Sequence, residues 1–244
     1  MNEESLKNKI ALISGCSRGI GRALALALAK RGVHLILLSR TESELQSLAE
    51  EVKKHGVKSW VFVADVTKPD DITRVEKKLA DEKVDIDILI NNVGVGKYGN
   101  LDAFSVSDYD WIMDSNMKST FLITRAFAPA MKERGRGNIV FIASVAGLKG
   151  LPGEAVYCAS KNAQVAFAQS LDYEMRPKGV KVNVIAPGGV KTHFALGTGR
   201  NENDANLEKM LDPSDVVDAT IFALCQSEKS RVFLVGLRPM AEPL

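Results

Sequence analysis

Residues 10–21 read IALISGCSRGIG, a short apolar run that passes through three glycines into a helical pattern. The run predicts a buried strand, and the glycine spacing G-x-x-x-G-x-G is a variant of the dinucleotide-binding fingerprint. Glycines lack the Cβ that would obstruct a pyrophosphate, while the following helix presents free N–H groups and its positive dipole end. The simpler alternative is a tight turn that serves only packing, but its place in a first strand–turn–helix unit favours cofactor binding.

Beyond this segment, short apolar runs alternate with long amphipathic stretches. Strands are predicted at residues 10–14, 34–39, 60–64, 86–90, 138–143, 181–185 and 231–235, and helices at 21–30, 42–54, 70–79, 108–131 and 154–175. Right-handed crossovers place helices on both faces of such a sheet. The alternation therefore predicts a doubly wound (Rossmann) three-layer α/β fold with a seven-stranded, mainly parallel sheet.

The sequence shows none of the features that usually separate domains. No repeat, low-complexity tract or Pro/Gly-rich linker divides residues 1–244, so we predict a single domain. Residues 193–211 show no clear period and are rich in Gly, Asn and Thr, which is typical of a functional loop. We predict that this segment is a substrate lid.

Composition excludes several classes of partner. Hydrophobic residues make up 45% and charged residues 25%, and 32 basic residues nearly balance 30 acidic ones. A net charge of +2 without a polybasic arm predicts neither nucleic acid nor an anionic membrane as a partner. The three cysteines and three histidines are scattered and match no metal-ligand spacing. With no signal-like N-terminus and no membrane-length apolar run, the prediction is a soluble, cytoplasmic protein without a metal.

The end of the second predicted strand indicates which dinucleotide is bound. It reads Leu38-Ser39-Arg40, without the carboxylate that would bind the ribose 2′-hydroxyl of NAD. The Ser39 hydroxyl and the Arg40 guanidinium, together with Arg18 in the glycine turn, would instead hold a 2′-phosphate. Both arginines are alternatively solvated surface charges, and the nearby Glu42 and Glu44 would weaken phosphate binding. Two arginines converging on one predicted pocket favour NADP(H).

A second set of polar residues lies later in the chain. Tyr157 and Lys161 are four residues apart early in a predicted helix, where they share a face. Ser144 follows the fifth predicted strand, at the carboxyl edge of the sheet where ligands of open α/β folds bind. Taken singly, Ser144 is equally a capping hydroxyl and Tyr157 a half-buried aromatic residue.

The order of these and other motifs is that of a known family. The segments are residues 14–21 with Ser14 for the usual Thr, Asp65-Val66, Asn91-Asn92-Val93-Gly94 with Val93 for Ala, Asn116, Ser144, the pair Tyr157 and Lys161, and residues 187–192, PGGVKT. Over most of its length the chain thus resembles a short-chain dehydrogenase/reductase of the single-domain type.

The resemblance implies a set of site residues. The catalytic residues would be Asn116, Ser144, Tyr157 and Lys161. The NADP(H)-binding residues would be Gly15, Ser17, Arg18, Gly19, Ile20, Gly21, Ser39, Arg40, Asp65, Val66, Asn92, Gly94, Tyr157, Lys161, Pro187, Gly188, Val190 and Thr192.

Their residue types fit hydride chemistry. Hydride arriving at a carbonyl carbon leaves negative charge on the oxygen, which needs a proton donor and a second hydrogen bond. Tyr157 would be the general acid or base, and Ser144 would hydrogen-bond the substrate oxygen. Lys161 would lower the phenol pKa from about 10 and hold the nicotinamide ribose. Asn116 would anchor a water that connects Lys161 to solvent.

The predicted activity is that of an NADP(H)-dependent oxidoreductase that reduces a small carbonyl compound or oxidises the matching alcohol. One alternative is a 3-oxoacyl thioester reductase, which needs a basic surface for a carrier protein. Arg125 and Lys132 are the candidates for that surface. Another alternative is a non-catalytic NADP(H)-sensing regulator. The physiological substrate and the preferred direction stay open. A mainly apolar pocket would be lined by Val95, Val145, Leu148, Leu151, Phe194 and Leu196.

Two predicted helices carry apolar residues on more than one face. They span residues 108–131 and 154–175 and include Phe121, Phe127, Ala163, Ala166, Phe167 and Leu171. One face can pack on the sheet, and the other needs a partner. The resemblance implies that these helices pair across a two-fold axis in a homodimer or homotetramer.

Overall fold

The computed structural model describes residues 2–201 and 207–241, and this part of the chain contains one seven-stranded parallel sheet. Its strands are β1 (Ile10–Ser14), β2 (His34–Ser39), β3 (Ser59–Val63), β4 (Ile88–Asn91), β5 (Gly137–Ile142), β6 (Val180–Pro187) and β7 (Leu234–Leu237). They lie in the order β3-β2-β1-β4-β5-β6-β7, and each neighbouring pair is parallel. The chain changes direction across the sheet between β1 and β4, which creates a crevice at the carboxyl ends of these strands.

Helices cover both faces of this sheet. They are α1 (Gly19–Lys30), α2 (Glu42–Lys53), α3 (Pro69–Asp81), α4 (Val106–Met113), α5 (Ser119–Arg134), α6 (Ala155–Met175) and α7 (Pro213–Leu224). Buried residues of α1, α2 and α7 belong to one core cluster, and those of α3, α5 and α6 to the other. This arrangement confirms the predicted three-layer, doubly wound α/β fold.

The strands serve both cores because successive side chains point to opposite faces. In β2, Leu35 and Leu37 belong to the cluster with α1, whereas Ile36 and Leu38 belong to the cluster with α3. All four side chains are completely buried. A run that is apolar at every position is therefore what a doubly covered parallel strand requires.

The predicted helix at residues 108–131 is wrong in one respect, because the structure interrupts it. A π turn, Asp114–Lys118, separates α4 from α5. The hydroxyls of Ser119 and Thr120 donate to the main-chain oxygens of Ser115 and Asn116, at 2.6 and 2.7 Å. A single wider turn hardly changes the spacing of the apolar residues. The sequence pattern therefore gave no sign of the interruption.

The predicted last strand, residues 231–235, is also displaced. The observed strand, β7, begins at Leu234 and pairs with β6 in the register Val184 to Leu234. Arg231 lies outside the sheet and its guanidinium contacts the Asp172 carboxylate at 2.8 Å. Because residues 232–237 are apolar almost throughout, only pairing with β6 decides where the strand starts.

Within residues 2–201 and 207–241, no helix has both the length and the apolar character needed to cross a bilayer.

Candidate active site

The glycine turn joins β1 to α1 in a conformation that its glycines allow. Gly15 and Gly19 have φ values of +65° and +56°, in the left-handed region that favours glycine. A Cβ on Gly21 would collide with the Gly15 carbonyl oxygen and lie 2.5 Å from Nδ2 of Asn92. Arg18 is the N-cap of α1 but its side chain forms no cap, so the first turn of the helix keeps its N–H groups for a ligand.

Asn92, which follows β4, stabilises the conformation of this turn through hydrogen bonds. Its Nδ2 donates to the main-chain oxygens of Ser14 and Gly15 at 3.1 and 3.0 Å. Its main-chain N–H donates to the Ser14 hydroxyl, which in turn donates to the Ile90 oxygen. The predicted cofactor residue Asn92 thus holds the shape of the glycine turn across the switch point between β1 and β4.

The ends of β1 and β2 bring the two predicted arginines together. The Ser39 hydroxyl donates to that of Ser17 at 3.1 Å. Arg18 and Arg40 directly follow these two serines, so their side chains start from neighbouring points of the backbone. Both arginines are exposed at the carboxyl edge of the sheet. The edge that carries these two side chains is called the rim below, and two positive charges there are what a 2′-phosphate would require.

Asp65 completes this rim at the end of β3. Burial raises the pKa of its carboxyl, but hydrogen bonds from the Thr67 N–H and hydroxyl and the charges of Arg40 and Lys68 outweigh burial and hold the pKa below its usual value. The Arg40 charge therefore acts on the Asp65 carboxylate directly. The following residue, Val66, is buried under the rim.

The segment after β6 lies on the opposite side of the crevice. Pro187 ends β6, and the Gly188 N–H donates to the Leu237 oxygen at 2.8 Å. Val190 is buried, and the Thr192 methyl would lie 3.5 Å from a Cβ on Gly19. The segment at residues 187–192 consequently faces the glycine turn, with Ile20 just inside α1.

The four predicted catalytic residues meet at the carboxyl ends of β4 and β5. Tyr157 and Lys161 are one turn apart in α6, and Lys161 Nζ lies 5.9 Å from the centre of the Tyr157 ring. A hydrogen bond joins Ser144 to the Tyr157 phenol. Asn116 occupies the π turn, and its amide accepts from the Val95 N–H at 2.7 Å and donates to the Val95 oxygen at 3.0 Å.

Lys161 is almost completely enclosed. Its exposed fraction is 3%, and its ammonium donates to the Ile142 oxygen at 3.2 Å and to Oε1 of Gln164 at 2.9 Å. A Cβ on Gly94 would lie 3.2 Å from Nζ, so the small residue predicted there makes room for the lysine. Burial lowers the pKa of Lys161 to about 7.

Lys161 was expected to lower the pKa of the Tyr157 phenol, but in this structure that pKa is raised. Burial, followed by the neighbouring Tyr98, raises the pKa of Tyr157 above its ordinary value, and the Ser144 hydrogen bond opposes the rise only in part. A phenol of raised pKa is protonated at neutral pH. Tyr157 therefore carries its proton at neutral pH.

Two aromatic rings cover Tyr157. The centre of the Tyr98 ring lies 5.9 Å from that of Tyr157, edge-on, and the Phe194 ring lies at 5.7 Å. Phe194 comes from the predicted lid, of which residues 202–206 lie outside the described part of the chain. The lid segment is anchored by the Tyr98 N–H, which donates to the Thr198 oxygen at 2.8 Å.

The residues predicted to line an apolar pocket differ in their surroundings. Leu151 and Phe194 pack in the same cluster as Tyr157, and Val145 is buried nearby, whereas Leu148 is exposed. The sequence analysis did not identify Tyr98. Its place in the loop that follows β4, four residues after Gly94, could have indicated that it lies near the site. Gln164 was also missed, and a polar residue on the Lys161 side of α6 was the only indication of it.

Comparison with known proteins identifies relatives with the same architecture. The family model described as short chain dehydrogenase matches residues 9–203. An uncharacterised oxidoreductase of Staphylococcus epidermidis is 33% identical over 235 residues, covering 96% of this chain and 99% of that protein.

Two solved structures are similar over nearly their whole length. An alcohol dehydrogenase from the archaeon Thermococcus sibiricus, complexed with 5-hydroxy-NADP, has a TM-score of 0.88 at 27% identity and covers 98% of this chain and 99% of its own. A metagenomic short-chain oxidoreductase in complex with NADP has a TM-score of 0.84 at 29% identity and covers 98% and 100%.

Proposed function

The chain belongs to the short-chain dehydrogenase family of oxidoreductases, and we propose that it reduces a carbonyl compound with NADPH, or oxidises the matching alcohol with NADP⁺. The observation that carries the proposal is the meeting of Tyr157, Ser144 and Lys161 beside the glycine turn. A hydrogen-bonded phenol, a hydroxyl and a buried ammonium together supply what a carbonyl reduction needs at its oxygen.

The residues at the crevice fit NADP(H). The uncapped start of α1 and the glycine turn suit a pyrophosphate, while Arg18 in that turn and Arg40 after β2 suit a 2′-phosphate. Asp65 and Val66 would contact the adenine, and Lys161 and the segment at residues 187–192 would hold the nicotinamide end. Two NADP complexes among the similar structures support this choice. When bound, NADPH supplies the hydride.

In this proposal the protein's own residues protonate the substrate oxygen and hydrogen-bond to it. The neutral Tyr157 phenol donates its proton to that oxygen as negative charge develops, and Ser144 hydrogen-bonds the same oxygen. Lys161 then favours the phenolate that remains, because its ammonium is held close to the ring. In the oxidation direction these steps reverse, and the phenolate must be present first.

The cover over Tyr157 indicates the class of substrate. Tyr98 and Phe194 exclude water from the phenol and present apolar ring surfaces around it. We infer that the preferred substrate carries an apolar or aromatic group next to its carbonyl.

Lys132, one of the two basic residues proposed for the carrier-protein alternative, does not support it. Lys132 lies in the last turn of α5, immediately before β5 begins. It therefore lies at the amino edge of the sheet, opposite the carboxyl edge where Tyr157 is found, and cannot border the pocket mouth.

The test is a turnover screen with NADPH against aldehydes, diketones, cyclic ketones and 3-oxoacyl thioesters, followed by Tyr157→Phe. This change removes only the hydroxyl, so turnover should fall by about 10²–10⁴, the usual worth of a positioned proton donor. NADPH binding, followed by its fluorescence, should persist. In the unmodified enzyme, oxidation should rise with pH because the phenol must ionise to accept the alcohol proton.

Tyr173→Phe is the matched control, because it makes the same change in the same helix at an exposed position. It should leave turnover unchanged. Near-normal turnover of Tyr157→Phe on whichever substrate the screen finds would refute the proposed role.

A further inference from the structure

A buried glutamine connects two parts of the site. Gln164 lies one turn beyond Lys161 in α6 and is completely shielded from solvent. Its Oε1 accepts from Lys161 at 2.9 Å. Its Nε2 donates to the Asn116 main-chain oxygen at 2.9 Å and to the Thr120 hydroxyl at 2.7 Å. The side chain thus joins α6 to the π turn and to α5.

The orientation of this amide follows from its partners. An ammonium only donates hydrogen bonds, so the end of Gln164 that faces Lys161 must be the oxygen. At the other end, the Thr120 hydroxyl gives its hydrogen to the Asn116 oxygen at 2.7 Å and is left as an acceptor for Nε2. Each donor meets an acceptor in only one arrangement, and the amide cannot flip without breaking three hydrogen bonds.

Asn116 is engaged with protein groups on both its main chain and its side chain. Its main-chain oxygen accepts from Thr120 and Gln164, and its Nδ2 donates to Val95 and to the Ser160 hydroxyl at 2.8 Å. A carbonyl oxygen has two lone pairs, and both are used here. The link from Asn116 toward Lys161 therefore runs through Gln164.

We propose that Gln164 is a positioning residue that holds the Lys161 ammonium beside Tyr157 and provides the connection from Lys161 to Asn116 that the family resemblance assigns to a bound water. This inference rests on the proposed function. In this chain, a side chain fixed by three hydrogen bonds replaces a mobile solvent molecule at the base of the site.

The consequence is electrostatic. A neutral oxygen that accepts from an ammonium stabilises its charged form, and so opposes the burial that lowers the pKa of Lys161. The elements packed around Nζ present the Ile142 oxygen from β5, Gly94 after β4 and the Tyr157 ring. Among the described residues, the charges of Glu154 and Arg200 act on Tyr157, and burial is the cause that lowers the pKa of Lys161.

Two substitutions separate this role from simple packing. Gln164→Met keeps the length of the side chain and removes the acceptor, so the Lys161 pKa should fall by about one unit, the usual worth of a hydrogen bond to a charged group. Gln164→Glu places a negative charge at the same distance, so that pKa should rise. The measurement is a pH titration of the full chain with ¹³C-labelled lysines, in which the Lys161 signal is identified by its loss in Lys161→Arg.

The alcohol-oxidation pH profile should follow in the opposite sense. A less charged Lys161 favours the phenolate less, so Gln164→Met should move the profile to higher pH and Gln164→Glu to lower pH. Asn162→Leu is the control, since it removes another amide of α6 that donates to the Ala146 and Cys158 oxygens and not to Lys161. It should leave the Lys161 titration unchanged.

The outcomes distinguish the two proposals. Opposite shifts of the Lys161 pKa in the two Gln164 variants support the positioning role. Shifts in the same direction, or none, show that Gln164 only packs, and overturn it. A chain inactive on every carbonyl tested would refute the proposed function, while the lysine titration would still decide the role of Gln164.

Discussion

Arg40 is the residue on which we expect cofactor choice to depend most. It is exposed, it follows Ser39 at the end of β2, and its charge acts on the Asp65 carboxylate. The Arg40 charge is one of the causes that hold the pKa of the Asp65 carboxyl below its usual value. A bound 2′-phosphate would compete with Asp65 for the guanidinium, and Arg18 would share the added charge.

Arg40→Asp should therefore remove or reverse the preference for NADP(H). We expect at least a tenfold preference for NADP(H) over NAD(H) in the unmodified enzyme, because a charge-assisted hydrogen bond contributes about 1.5–3 kcal/mol. The measurement is kcat/KM for both cofactors with one substrate.

Arg136→Asp makes the same charge change immediately before β5, at the amino edge of the sheet, and should leave cofactor preference unchanged. Equal efficiency with NADP(H) and NAD(H) in the unmodified enzyme would contradict the assignment.

At the scale of elements, the position of α1 against β1 depends on one glycine. A Cβ on Gly21 would meet the Gly15 carbonyl oxygen, which belongs to the backbone and cannot rotate away, and Nδ2 of Asn92 at 2.5 Å. Helix and turn would have to separate, and the hydrogen bonds of Asn92 to Ser14 and Gly15 would lengthen.

We expect Gly21→Ala to lower Tm by about 4–10 °C, as overpacking of about 1–3 kcal/mol does in a domain of this size. NADPH affinity should fall as well, because the turn that receives the pyrophosphate changes shape. Gly150→Ala is the control, since a Cβ there meets nothing within 4 Å. Equal Tm values for the two variants, measured by circular dichroism, would show that Gly21 is not required by packing.

On the surface of the molecule, several apolar side chains of neighbouring helices are exposed to solvent. Val106 and Trp111 of α4, Phe121 of α5 and Tyr173 of α6 are exposed, Val106 by 78%. By contrast, Phe127, which lies in α5 with Phe121, is buried in the core. A surface of this kind favours association.

We expect a homodimer or homotetramer in which the helices carrying these side chains pair. Sedimentation at micromolar concentration should show a mass of at least twice 26.5 kDa. Phe121→Glu should weaken the assembly, because a charge would be buried at the contact. A monomer at all concentrations tested would contradict this prediction.

Local sequence patterns were enough for the architecture. Continuous apolar strands, the glycine turn and the Tyr157–Lys161 spacing each depend on residues within a few positions of one another, where periodicity and steric limits act directly. They predicted the doubly wound sheet, and the structure brings the proposed catalytic residues together at its carboxyl edge.

Only the tertiary structure decided which distant groups meet. The π turn that holds Asn116, the bridge from Gln164 to a residue 48 positions earlier, and the approach of Tyr98 and Phe194 to Tyr157 depend on how α5, α6 and the lid pack on one sheet. The start of β7 likewise depends on its register with β6. These features arise from packing between segments far apart in the chain, and residue spacing carries no information about such contacts.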